Sequence, residues 1–238
     1  MSYVYFIRHA QAGSRDNYDV LSELGRKQAR LLGQHLVDHG VELSALFSGD
    51  MRRQRDTAEI TAQAIADSGR AAKEVIVDRG WNEFSLLSVY RAIAARMCEE
   101  SPDFDRDFKE MQQMIRSDPH ATGGATGRCD AAVIRAWIEN RYPEYQGESW
   151  TDFKARVLAS GKRIMERDSG DAVAVFTSAT PVAIHAAAAL GLADDKLLNI
   201  LGVIYNCSVS LLRLKNGESR LFTFNSTAHL SPTLRTFR

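Results

Sequence analysis

Four residues at strand and helix ends carry the chemistry this chain offers. Arg8 and His9 close the run Met1-Ser2-Tyr3-Val4-Tyr5-Phe6-Ile7, which is rich in β-branched and aromatic side chains. A buried strand that stops at an arginine and a histidine delivers both side chains to one edge of a sheet. In open α/β sheets that edge, at the carboxyl ends of the strands, is where ligands bind. An imidazole beside a permanently charged guanidinium suits a phosphate and repels a cation. A neutral imidazole is also a competent nucleophile. The plainer alternative is a strand end with two solvated polar residues.

Arg53 lies about one turn into a helix that begins near Met51. A helix N-terminus carries partial positive charge and unpaired N–H groups, and a guanidinium there adds to a phosphate-binding field. Taken alone, Arg52, Arg53 and Arg55 read more simply as a solvated charged face. Glu83 follows Arg79-Gly80-Trp81-Asn82 and precedes Phe84. A carboxyl group just past a strand end, with aromatic neighbours in sequence, is suited to general-acid work. An exposed loop glutamate is the alternative.

These residues need a scaffold to converge, and the chain supplies strand–loop–helix junctions. Ser22 is an N-cap with Glu23 in the first turn. Ala29, Leu32, Gly33, Leu36 and Val37 follow at helical spacing, and Gly40 closes the helix. Leu43–Phe47 is a second strand ending at Ser48-Gly49-Asp50, and the helix carrying Arg53 comes next. Val75–Val77 is a third strand. Ser149 caps a helix over 151–168. Residues 171–177 form a strand ending at Ser178-Ala179-Thr180-Pro181, and Pro181 suits the first turn of the helix that runs to Gly191. Repeated strand–helix units predict an α/β fold with a mainly parallel sheet. Residues 208–214 and 220–225, with Asn216-Gly217 as a turn, predict a closing hairpin.

Between Ser85 and Gly147 this rhythm is lost. Helices are expected over 88–98, 103–115 and 130–140, and a glycine-rich loop over 118–128. A helical insertion directly after a strand-end loop is well placed to cover a site, and equally to form a partner surface.

Composition narrows the class. The 238 residues are 45% hydrophobic and 25% charged, with formal net charge zero, as in ordinary globular proteins. No basic surface is implied, so neither nucleic acid nor membrane is an expected partner. Cys98, Cys129 and Cys207 are far apart without metal-ligand spacing and predict reduced thiols and a cytoplasmic location. No signal peptide is expected at the N-terminus, and 183–192, the longest apolar stretch, is too short to span a bilayer.

Taken together, Arg8-His9-Ala10-Gln11, Leu21-Ser22-Glu23-Leu24-Gly25 with Gln28-Ala29, Phe47-Ser48-Gly49-Asp50-Met51-Arg52-Arg53 with Thr57-Ala58-Glu59, Glu83, and Gly147-Glu148-Ser149 before Arg156 resemble the histidine phosphatase superfamily. This is the phosphoglycerate-mutase-like family. The resemblance covers nearly the whole chain. It implies a three-layer α/β/α fold with a mainly parallel central sheet, one domain over 1–238, and a helical cap insertion at about 84–148. It implies that His9 is the nucleophile that becomes a phosphohistidine. Arg8 and Arg53 would hold the phosphoryl oxygens, and Glu83 would protonate the leaving oxygen, with no cofactor and no metal. The implied partner is a small phosphorylated substrate or inorganic phosphate; the oligomeric state is not implied.

The chain departs from the pattern in two places: Ala10-Gln11 stands where many members have a glycine and an acidic residue, the milder change, and a core strand ends differently. The family ends its corresponding core strand with a second histidine, and here Ser178 stands in that place, followed by Ala179-Thr180. His185, two turns on, is expected to face helix packing and not to substitute. Loss of one preorganised donor costs roughly 3–4 kcal/mol, or about 10²–10³ in rate. Three functions therefore stay open: a phosphomonoester hydrolase of reduced activity, a phosphoglycerate mutase, and a phosphate-binding member that has lost turnover.

Overall fold

The computed structural model describes residues 2–13, 17–71, 73–118, 123–166, 172–215 and 218–237. Parts of the expected loops at 14–19 and 118–128, and the turn at Asn216-Gly217, lie outside them. The described residues fall into two compact units.

The first unit holds a six-stranded sheet. Strand β1 (Ser2–Arg8) leads into α1 (Glu23–Asp38), β2 (Leu43–Ser48) into α2 (Arg52–Asp67), and β3 (Val75–Val77) into a short 3-10 turn, Arg79–Trp81. The second unit, Phe84–Ala155, contains α3 (Leu86–Glu100), α4 (Pro102–Ser117), α5 (Gly124–Ile138) and the start of α6 (Trp150–Met165). The chain then gives β4 (Ala172–Thr177), α7 (Ala179–Leu190), α8 (Leu197–Leu201), β5 (Val209–Lys215) and β6 (Glu218–Ser226).

The sheet order is β3-β2-β4-β1-β5-β6. The first four strands are parallel, and β5 and β6 add an antiparallel hairpin. The register places Arg8 opposite Thr177, and Ser48 beside both Phe176 and Val77. Four strand ends therefore open on one edge. Successive residues of β1 point to opposite faces. Ile7 packs with Leu32, Leu36, Leu46, Ala58 and Phe176 on the side of α1 and α2. Phe6 stacks on His185 of α7 and meets Trp81 edge-on. Apolar side chains on both faces explain why β1 and β4 are continuous hydrophobic runs. Ser22 caps α1 by accepting from the Gly25 amide at 3.0 Å. A Cβ at Gly33 would come within 2.6 Å of the Ala64 Cβ, so glycine sets the close approach of α1 and α2.

Two expectations change in detail. The loop expected up to Arg128 ends sooner, because α5 begins at Gly124. Ala125, Thr126 and Cys129 are buried there, and the Arg128 guanidinium makes two hydrogen bonds to the Asp107 carboxylate of α4. Tertiary packing overrides the glycine signal. At the other end of the second unit, Phe84 stacks on Trp137 and meets Phe153, an aromatic core that the broken βα rhythm did not announce.

His185 has a second consequence. Burial pushes its imidazole down to about 4, and its Nε2 has no hydrogen-bond partner among the described residues. The unfolded chain takes up a proton near the ordinary imidazole value, so stability is full above pH 6.5 and falls as pH drops from there towards 4. The expected loss from this residue is about 3 kcal/mol. Urea titrations across that range check it; His185→Phe flattens the pH dependence if this residue carries it.

Candidate active site

β1 ends by handing its last residues to neighbours on either side. The His9 amide donates to Thr177 O at 2.7 Å, and the Arg8 amide donates to Ser208 O at 3.2 Å. The His9 carbonyl accepts from the Cys207 amide at 3.2 Å. His9 is held by backbone on both flanks and is only 1% exposed.

The His9 ring has a defined tautomer. Nδ1 lies 2.8 Å from the Ala10 carbonyl oxygen, and a carbonyl only accepts, so Nδ1 carries the proton. Nε2 then has the lone pair, and it accepts from Arg53 Nε at 3.2 Å. Burial first, then the charges of Arg53 and Arg8, hold the imidazole well below its ordinary value. The ring is neutral at pH 7, with its unprotonated nitrogen turned towards a guanidinium.

Arg53 belongs to the first turn of α2. Thr57, one turn on, donates to the Arg53 carbonyl at 2.6 Å and accepts from the Ala10 amide at 3.0 Å, which ties α2 to the loop after β1. Arg53 Nη1 pairs with Asp19 Oδ1 at 2.9 Å, and the Tyr18 ring lies 4.9 Å from its guanidinium carbon. Arg8 is equally buried and donates from Nη1 to the Ile204 carbonyl. Burial pushes its guanidinium down, and a hydrogen bond from Arg8 to Tyr18 and the nearby Glu83 charge oppose that shift. Arg8 Nε is a buried donor without an acceptor among the described residues. Such a donor costs about 1–3 kcal/mol until an acceptor meets it, and an anion beside His9 would be one.

The strand-end loops brace each other. Asp50 and Asn82 exchange hydrogen bonds, the Asp50 amide to Asn82 Oδ1 and Asn82 Nδ2 to Asp50 Oδ1. The Asn82 amide and then Arg79 hold the Asp50 carboxyl below its ordinary value against the effect of burial. Arg156 Nη1 donates to three carbonyls, of Arg79, Gly80 and Asn82, and so fixes the backbone leading to Glu83. Glu83 Oε2 accepts from the Thr180 amide at 3.1 Å, in the first turn of α7. That is a favourable place for a negative charge.

Arg8, His9 and Arg53 thus stand side by side, with Glu83 in electrostatic reach of Arg8. Ser178 is placed differently. It is the N-cap of α7, is 2% exposed, and makes no capping bond. Its Oγ accepts from Gln54 Nε2 at 2.8 Å, and the same amide nitrogen reaches the Trp81 carbonyl at 3.3 Å. His185 lies among Phe6 and Trp81, as its sequence position suggested. Three contributors escape sequence reading: Tyr18 and Asp19, inside a polar loop without periodicity, and Gln54, hidden among arginines.

Comparison with known proteins places the chain in a family. The chain matches the profile described as the histidine phosphatase superfamily (branch 1) over residues 4–133 and 92–227. It is 31% identical over 77 residues to the mitochondrial serine/threonine-protein phosphatase PGAM5 of Xenopus laevis. That match covers 31% of this chain and 28% of the relative. Among solved structures, Bacillus stearothermophilus YhfR superposes with a TM-score of 0.66 at 20% identity, covering 96% of this chain and 99% of that one. Phosphoserine phosphatase of Entamoeba histolytica, in a mutant form bound to phosphoserine, gives 0.64 at 14% identity, covering 97% and 100%. Mycobacterial glucosyl-3-phosphoglycerate phosphatase with inorganic phosphate gives 0.61 at 23% identity, covering 96% and 99%. At these identities the structural likenesses establish a shared fold. Among the described residues no helix is long and apolar enough to cross a membrane.

Proposed function

The chain belongs to the histidine phosphatase superfamily, and from that premise we propose that it hydrolyses small phosphomonoesters through a phosphohistidine on His9. The observation that carries this reading is the fixed tautomer of His9. Nδ1–H is committed to the Ala10 carbonyl, so Nε2 presents its lone pair beside Arg53.

The chemistry follows from that arrangement. Arg8 and Arg53 bind the non-bridging oxygens of the phosphoryl group. His9 Nε2 attacks phosphorus in line, the P–N bond forms, and the P–O bond to the alcohol breaks. Glu83 has to take up a proton for this step, against the Thr180 amide that favours its charged form, and gives it to the leaving oxygen. The phosphorylated ring is a cation with Nδ1–H still on Ala10 O, and that carbonyl stabilises it. Glu83, now a carboxylate, takes a proton from water, the oxygen attacks phosphorus, and the P–N bond breaks. Phosphate leaves and the ring is neutral again. Charge stabilisation and positioning are what phosphoryl transfer needs most.

A panel of phosphomonoesters, phosphoglycerates included, assayed with wild type and His9→Ala tests the proposal. Turnover that survives the substitution would refute it. Transfer to an acceptor other than water would favour a mutase.

Ser178 supports a second reading, a phosphate binder with little turnover, because its Oγ is already engaged by Gln54. It supplies a neutral hydrogen bond and no positive charge. If Ser178 limits the chemical step, Ser178→His raises kcat by about 10–10³, the scale of one restored donor. Ser178→Ala lowers it only severalfold. The Gln54 side chain lies against position 178, so the histidine is also made in a Gln54→Ala background. A Ser178→His protein that is folded and no faster in either background shows that the loop serves another purpose.

A further inference from the structure

The loop that follows β1 places one carboxylate where the reading of this site does not use it. Asp19 Oδ1 accepts from Arg53 Nη1 at 2.9 Å, and Oδ2 accepts from the Arg52 amide at 3.1 Å. The Arg53 amide also points to Oδ1, at 3.5 Å. Met51, the residue before α2, offers no side-chain cap, so Asp19 caps the helix from a distance. The two oxygens of one carboxylate thereby span the helix end and the guanidinium that the helix carries.

The way the guanidinium is gripped matters. Its five N–H donors form a rigid planar fork. Nη1 lies on the side of Cδ, and Nε with Nη2 forms the opposite edge, where two N–H bonds run parallel. Asp19 takes Nη1. Nε meets His9 Nε2 at 3.2 Å, and the Tyr18 ring covers one face of the group. The edge suited to two phosphoryl oxygens is therefore the one turned towards the nucleophile. Arg53 is almost fully buried, whereas the Asp19 side chain is 55% exposed. The carboxylate thus costs little desolvation while restraining a buried partner.

We propose that Asp19 is a positioning residue: by holding Nη1 of Arg53 it turns the Nε–Nη2 edge towards His9 and the phosphoryl group. This rests on the phosphatase reading above for its role in turnover, and on geometry alone for its role in phosphate binding. Misplacement of a binding group by about 1 Å can cost about 10²-fold in rate, which sets the scale expected.

A double-mutant cycle isolates the effect, since residues that act through each other are non-additive. Wild type, Asp19→Ala, Arg53→Ala and the double variant are compared by kcat and KM on the best ester and by calorimetric affinity for inorganic phosphate. Thermal midpoints establish that each is folded. Asp19→Ala is expected to lower kcat by about 10–10² and to weaken phosphate binding severalfold. In the Arg53→Ala background the same change has an effect below about twofold. Asp19→Asn keeps a neutral acceptor and recovers part of the loss. An equal effect in both backgrounds overturns the proposal and leaves Asp19 as a helix cap only. A rise in kcat/KM or phosphate affinity overturns it too, showing that Asp19 competes with substrate for Arg53. Should wild type show no His9-dependent turnover, the phosphatase reading fails and the phosphate-affinity cycle alone decides Asp19. Wild type that binds no phosphate overturns both.

Discussion

His9→Ala is expected to lower turnover by about 10⁴–10⁶, the scale seen when an enzyme loses its nucleophile. It should leave phosphate affinity within about tenfold of wild type, because the arginines that bind the anion remain. Substrate labelled in the phosphoryl group, quenched in denaturant at mild alkaline pH, should leave label on the peptide carrying His9. That label should be lost on acidification. Label on another residue ends the proposal, as does a His9→Ala protein that turns over normally. The pH profile gives an independent check. Attack needs an unprotonated Nε2, so activity falls as pH drops through the His9 pKa. Burial and the two guanidiniums hold that pKa well below the ordinary imidazole range. The acid limb assigned to His9 in kcat/KM should therefore lie below that range.

Arg53→Ala is the second large effect, with kcat falling by about 10³–10⁵, as when an arginine that meets transition-state charge is removed. Arg53→Lys separates charge from shape. A lysine restores the positive charge and loses the planar fork. If the two parallel donors matter, Arg53→Lys stays within about tenfold of Arg53→Ala in kcat. If charge alone matters, it returns most of the activity. A full-rate Arg53→Ala protein would remove this residue from the mechanism. The Ala variant also loses the Asp19 contact, so its thermal midpoint is measured beside its rate.

The parts of this molecule that sequence made legible are those governed by local rules. Ser22 announced α1 because a cap is a short-range hydrogen bond, here to the Gly25 amide. The strand at residues 2–8 was legible because both of its faces are covered and its side chains are apolar. Gly124 as the start of α5 was not legible, since what stabilises that turn is burial of Ala125, Thr126 and Cys129. Within the candidate site, Arg8 and His9 stood out by following a strand directly. Asp19 did not, because its significance comes from Arg53, more than thirty residues later. Gln54 was equally silent. Its amide spans Trp81 and Ser178, which lie on separate strand-end segments. The contacts that set side-chain orientation are long-range, and no periodicity encodes them.

The sheet order bears on how the site comes into being. β1 lies inside the sheet between β4 and β5, with Tyr3 opposite Ala172 on one side and Arg213 on the other. A ribosome delivers this strand long before either of its two neighbours. Until they emerge, residues 2–8 have no edge to pair with, and an apolar strand in that state is prone to wrong partners. Closing so long a loop is slow, because its entropy is lost before any pairing compensates it. His9 is thus made well before the residues that surround it. The Thr177 carbonyl and the Cys207 amide that hold its backbone belong to segments made much later. A nascent or truncated chain without those supports would leave this imidazole solvated, so its burial comes only with the later strands.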